Sequence, residues 1–129
     1  MEAERSLVWE VQNRIVHVVD DDAPLRDTLV RFLQFEGFDV FAHASAAAFL
    51  RDAAPDEACC LVIDVNMHGM TGVELLERLR GDGHTTPAIL MTGMPDARIR
   101  EAAARLGALF LGKPFLPDTL VERIAEARR

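Results

Sequence analysis

Five short apolar runs, each followed by a stretch of helical period, constrain this chain more than any other feature. Ile15 to Val19 (Ile-Val-His-Val-Val) is a β-branched run and reads as a buried strand. Phe38 to Phe41, Cys60 to Ile63, Ala88 to Met91 and Leu109 to Leu111 read as four more. Between them, apolar residues recur at three- and four-residue spacing. Leu25, Leu29, Phe32 and Leu33 give one helix face, and Gly37 ends that helix. Ser45 caps a helix carrying Phe49 and Leu50, which Pro55-Asp56 breaks. Thr71 and Glu74 have capping-box spacing ahead of Leu75, Leu76 and Leu79, with Gly81 and Gly83 ending the helix. Ile99, Ala102, Ala103 and Leu106 form a fourth face, closed by Gly107. Pro117 opens a fifth helix with Leu120, Val121 and Ile124 inward. Continuous apolar strands alternating with amphipathic helices imply an α/β fold, a parallel sheet covered on both faces. Residues 14–129 form this one domain. Residues 1–13 lack a clear period and are expected to be an N-terminal arm.

Charge and targeting signals narrow the function. The net charge of −7 argues against nucleic-acid binding by this segment, because neutralising phosphates needs a basic surface. No apolar run approaches a membrane span, and Met1 to Arg5 lacks the order of a signal peptide, so a cytoplasmic location is expected. Adjacent Cys59 and Cys60 read as buried free thiols. Among 14 basic residues a single lysine, Lys113, stands beside 13 arginines.

In open parallel sheets the ligand site lies beyond the carboxyl ends of the strands. The first run ends in Asp20-Asp21, the third in Asp64 and the fourth in Thr92, while Lys113-Pro114 follows the fifth. If the first and third strands are neighbours, three carboxylates converge. They repel one another unless a cation intervenes. An all-oxygen site of few carboxylates suits Mg²⁺, which keeps waters and leaves room for phosphate. A carboxylate beside such an ion is equipped to accept a phosphoryl group. Each residue taken singly has a plainer reading: Asp20 to Asp22 as an acidic helix start with Asp22 as cap, Asp64 as a turn cap, Thr92 as a turn residue, Lys113 as a solvated charge. Their common position at one sheet edge favours the shared site.

Val19-Asp20-Asp21, Leu61-Val62-Ile63-Asp64, Gly72-Val73-Glu74-Leu75-Leu76, Thr92-Gly93 and Lys113-Pro114-Phe115 occur in the order and spacing of response-regulator receiver domains. The chain resembles that family over about residues 14 to 128, and most resembles receivers of helix-turn-helix transcriptional regulators. The resemblance implies a flavodoxin-like, doubly wound sheet in the order 2-1-3-4-5 with five helices. It implies a two-component switch in which Asp64 is phosphorylated by a sensor histidine kinase or phosphotransfer protein. Asp21 matches a direct Mg²⁺ ligand, Asp20 one acting mostly through water, and Asn66 the position whose backbone carbonyl binds the metal. Thr92 matches the hydroxyl that turns toward the phosphate, and Lys113 the lysine that bonds a phosphoryl oxygen. Phe110 matches the aromatic that moves with Thr92 to remodel the face of the fourth helix, fifth strand and fifth helix, a face available to a partner, a homodimer or an output domain.

Three features depart from the family pattern. Met67-His68-Gly69 stands where Met-Pro is usual, which restores a backbone N–H. That histidine reads as a solvated loop residue near the site. The Gly107 to Lys113 segment is one residue shorter than usual, and Met94 is apolar at a position that tunes water attack on the acyl phosphate, with slower hydrolysis expected. The competing functions are a receiver-like binding module that works without phosphorylation and an aspartate-based phosphohydrolase. The latter places its nucleophile after the first strand, whereas here the acidic pair comes first. No G-x-G-x-x-G or Walker-type loop follows the first strand.

Overall fold

A computed structural model of the protein describes residues 14–129. The expected arm, residues 1–13, lies outside the described residues. Among the described residues there are five strands: β1 (Ile15–Val19), β2 (Asp39–His43), β3 (Cys60–Asp64), β4 (Ala88–Thr92) and β5 (Leu109–Gly112). Five helices alternate with them: α1 (Ala23–Phe35), α2 (Ala46–Asp52), α3 (Gly72–Gly81), α4 (Ala97–Arg105) and α5 (Pro117–Ala127). All strand pairs are parallel, in the order β2-β1-β3-β4-β5. This is the flavodoxin-like order the resemblance implied.

Side-chain alternation divides the core into two layers. Val16, Val18, Cys60, Val62, Ile89 and Met91 face α1 and α5, packing on Leu29, Leu33, Leu120 and Ile124. Val19, Leu61, Ile63 and Leu90 face the other way, onto Phe49, Leu75, Leu76 and Ala103 of α2, α3 and α4. Central β3 is buried at all five positions. Both cysteines are free and buried. An isolated helix as short as α3 is marginal in water. Burial of Leu75, Leu76 and Leu79 contributes roughly 5–9 kcal/mol, so packing rather than propensity holds α3 in place.

Local chemistry sets the helix ends. Asp22 Oδ1 accepts from the Leu25 N–H at 3.2 Å, so the capping reading is right for this aspartate. In α3 both capping-box bonds form: Glu74 N–H to Thr71 Oγ1 at 3.1 Å and Thr71 N–H to Glu74 Oε1 at 3.0 Å. At the end of α1 the Gly37 N–H donates to Gln34 O and the Phe38 N–H to Leu33 O, with Gly37 at φ +97°. This Schellman geometry needs the left-handed conformation glycine adopts freely. It also corrects the expected second strand. Phe38 is used to close α1, so pairing starts at Asp39 and runs to His43. Gly81 likewise remains helical, and only Gly83 terminates α3.

One feature of the sheet escaped the sequence reading. His17 Nδ1 lies 2.8 Å from His43 Nε2, across the β1–β2 pair, with Phe41 and Phe49 rings against His17. His17 is 6% exposed. Burial, aided by His43, pushes its pKa down to about 4. His43 is also lowered by burial, opposed by the charge of Asp52. The unfolded chain therefore binds a proton near the ordinary pKa of 6.5 that the folded chain refuses until about 4. The stability attached to neutral His17 is complete above the unfolded pKa and is lost as pH falls between these values. The expected loss is on the order of 2–3 kcal/mol by pH 4. Urea unfolding of wild type and His17→Asn, which keeps a hydrogen-bonding atom near Nδ1, measures it. A wild-type pH slope no steeper than the variant's would contradict the expectation.

Candidate functional site

The carboxyl edge of the sheet gathers the polar residues that end the strands. Neighbouring β1 and β3, with Val19 opposite Ile63, bring Asp20, Asp21 and Asp64 together. One ligand-capable oxygen from each lies within 4.8 Å of the others. Lys113, just past β5, reaches in from the far side of β4. Its Nζ donates to Asp64 Oδ1 at 2.9 Å and lies 3.7 Å from Asp20 Oδ2. The Lys113 N–H donates to Thr92 O at 2.7 Å, tying the lysine loop to the end of β4.

Asp20 is fully buried. Its Oδ1 accepts from the Asp22 N–H at 2.9 Å, whereas Oδ2 has no hydrogen-bond partner. The separation from Lys113 Nζ is a charge contact, too long for a hydrogen bond. Burial first, and the neighbouring Asp64 carboxylate after it, raise the Asp20 pKa against the pull of the Asp22 N–H and Lys113. A buried, unpaired carboxylate oxygen is costly. An all-oxygen donor set with one orphaned buried oxygen fits a hard divalent cation such as Mg²⁺. The Asp20 backbone is pinned on both sides: its N–H donates to His43 O at 3.1 Å, and its carbonyl accepts from Arg26 Nη1 at 2.8 Å.

The remaining residues singled out from the sequence take varied places. Thr92 is 1% exposed, and its Oγ1 accepts from the Met94 N–H at 3.1 Å. Asn66 sits in the bend after β3 with its side chain in solvent. Met94 is 76% exposed. Phe110 is half-buried against the α4 side of the core, with the Arg100 guanidinium 5.2 Å from its ring centroid. His68 is solvent-exposed, yet its backbone N–H and ring Nδ1 both approach Asp21 Oδ2, at 2.9 and 2.8 Å. The His68 backbone bond, then its ring, hold the Asp21 carboxyl below the usual carboxylate range.

Sequence reasoning missed Arg26 and the role of Gly72. No periodicity marks a side chain that bonds a backbone carbonyl just past the preceding strand. Gly72 opens α3 directly against the end of β3. A Cβ built there overlaps the Asp64 carbonyl oxygen and lies 2.8 Å from its carbon and 2.9 Å from Ile63 Cγ2. A glycine ahead of Val73-Glu74-Leu75 was visible, but not what it touches.

The five-stranded parallel sheet in the order β2-β1-β3-β4-β5, with acidic residues and a lysine at its carboxyl edge, is a CheY-like flavodoxin fold. Residues 16–125 match the Response regulator receiver domain family. The chain belongs to that family. It is 45% identical over 101 residues to the transcriptional regulatory protein FixJ of Azorhizobium caulinodans, an alignment covering 78% of this chain and 48% of that protein. Its fold is similar to that of the solved structure of FixJ-N (TM-score 0.79, 37% identity, 91% of this chain and 94% of that one). It is similar also to the chemotaxis protein CheY4 of Vibrio cholerae (TM-score 0.82, 28% identity, 89% and 98%). The chain spans about half the length of the curated relatives it matches. Among the described residues, no helix is long and apolar enough to cross a membrane.

Proposed function

We propose that this chain is the phosphoryl-accepting switch of a cytoplasmic two-component system, with Asp64 as acceptor. The observation that carries the reading is the convergence of Asp20, Asp21 and Asp64 in one cluster with Lys113 Nζ bonded to Asp64 Oδ1. Lys113 orients the Asp64 carboxylate and leaves lone pairs free for attack. In the reaction an Asp64 oxygen forms a bond to phosphorus while the phosphorus–nitrogen bond of a kinase or phosphotransfer-protein phosphohistidine breaks. The imidazole departs with the electron pair. Asp20, Asp21, Asp64 and the Asn66 carbonyl would hold Mg²⁺, which when bound would offset charge on the phosphoryl oxygens. Lys113 adds a positive charge held at Asp64 Oδ1. The Thr92 hydroxyl proton is available to a phosphoryl oxygen, and its turn toward the phosphate gives Phe110 space to follow. The face of α4, β5 and α5 then changes shape and serves a partner, a second copy or an output domain. Exposed Met94 offers no polar group to guide hydrolytic water. The chain is spent and reset by its signal and turns over no free substrate.

The test is acyl-phosphate formation from a small-molecule phosphodonor, read by intact mass. Wild type is expected to gain one phosphoryl group with Mg²⁺ and none after chelation. Labelling that persists in chelator overturns the Mg²⁺ requirement, and no labelling in Mg²⁺ argues for the alternative, a receiver-like binding module that works without phosphorylation.

A further inference from the structure

We propose that His68 is a positioning residue for the divalent cation, holding Asp21 by two donors in the orientation that cation binding uses. The inference rests on the reading of Asp20, Asp21 and Asp64 as cation ligands. His68 and Asp21 are 47 positions apart, on the loop after β3 and the loop after β1. Both bonds fall on one oxygen, Oδ2, at 2.9 Å from the backbone N–H and 2.8 Å from ring Nδ1. They leave every lone pair of Oδ1 for a cation.

The Asp21 side chain is 26% exposed, so packing alone does not settle its rotamer. A ligand that must be ordered on binding carries an entropic cost, and one already held does not. The same two donors belong to one residue of the loop after β3 and meet on one carboxylate oxygen of the loop after β1. They also cross-link the β1 and β3 loops, so the loop bearing Asn66 and the carboxylate of Asp21 are fixed relative to each other. The buried, unpartnered Asp20 Oδ2 is an independent sign that this pocket is built for a cation.

The two donors are unequal. The N–H is anchored in the chain, whereas the imidazole is fully exposed and competes with water. Proline at this position, as in the Met-Pro usual for the family, has neither donor. His68 therefore gives this chain a hold on its metal-ligand aspartate that such a receiver lacks.

Calorimetric titration of the full chain with Mg²⁺ alone, without phosphodonor, tests the clamp. Outer hydrogen-bond partners of metal ligands typically affect affinity by roughly 10–100-fold, and an exposed one belongs at the low end. His68→Pro, which removes both donors, is expected to weaken Mg²⁺ binding about 5- to 10-fold. His68→Ala, which keeps the N–H, is expected to lose about 2- to 3-fold, and His68→Asn, whose amide reaches the Nδ1 position, to recover wild-type affinity. Thermal melts check whether the proline variant is folded, and the alanine–asparagine pair tests the ring contact without it. Wild-type or tighter affinity in a folded proline variant overturns the clamp. So does an alanine loss that asparagine does not recover, because loop damage would then be its cause. Asp21→Asn separates the two layers of argument. If that variant binds Mg²⁺ like wild type, the cation-site reading itself fails. If it loses binding while every His68 variant matches wild type, only the clamp fails.

Discussion

Asp64→Asn abolishes acyl-phosphate formation, with an expected fall in labelling rate of at least roughly 10³-fold. The substitution changes almost nothing but chemistry. An amide oxygen has no full negative charge to direct at phosphorus, and an amide nitrogen has no available lone pair. Shape is kept, so the 3% exposed site at the end of β3 stays filled. Removing one negative charge also relieves Asp20, whose pKa the Asp64 carboxylate raises. Against this, Lys113 exchanges a charge-assisted bond for a bond to a neutral oxygen. These effects oppose each other, so a folded chain with little change in stability is expected. Intact mass after incubation with a small acyl phosphate, alongside urea unfolding, measures both. Full labelling of the variant would place the acceptor elsewhere and remove the central element of the proposed mechanism.

The largest structural effect is expected from Gly72→Ala. The added carbon meets the Asp64 carbonyl and Ile63 Cγ2, not the far end of a flexible side chain. The Asp64 backbone has little room to retreat. Asp64 is paired in register with Met91, and the Val65 N–H donates to Met91 O at 2.8 Å. The Gly72 N–H is itself bonded to Val65 O at 3.0 Å. Either α3 is pushed off the sheet, loosening buried Leu75 and Leu76, or the end of β3 shifts and carries the Asp64 carboxylate with it. Overpacking against backbone is expected to cost about 2–4 kcal/mol. Gly81→Ala in the same helix is the control. Nothing lies within 4 Å of its added carbon, and a gain of up to about 1 kcal/mol is expected there. Urea midpoints compare the two. Equal stabilities would show that α3 does not seat where the close approach of Gly72 puts it.

Element identity was legible because it is written in short-range pattern. A β-branched run such as Ile15 to Val19 and the Thr71–Glu74 spacing act within one strand or one helical turn, so neighbours in sequence reveal them. Boundaries were less legible where two elements compete for one residue, as when Phe38 closes α1 instead of starting β2. Parts of the site were legible for a related reason. Asp20, Asp21, Asp64, Thr92 and Lys113 each stand at a strand end, which periodicity marks, and the carboxyl edge is where parallel sheets place ligands.

The chain alone determined an alternating α/β fold, its five strands and five helices, and the polar residues that end or follow the strands. Tertiary structure decided which of those residues meet. Only the neighbouring of β1 and β3 makes one cluster of Asp20, Asp21 and Asp64, and only the placement of β5 beside β4 brings in Lys113. The stranded oxygen of Asp20, the His68 hold on Asp21, the His17–His43 pair and the seat of Gly72 are all contacts between distant segments. Patterns of hydrophobicity carry information over one or two turns of backbone. Contacts across strands depend on sheet order and register, which the whole chain settles together.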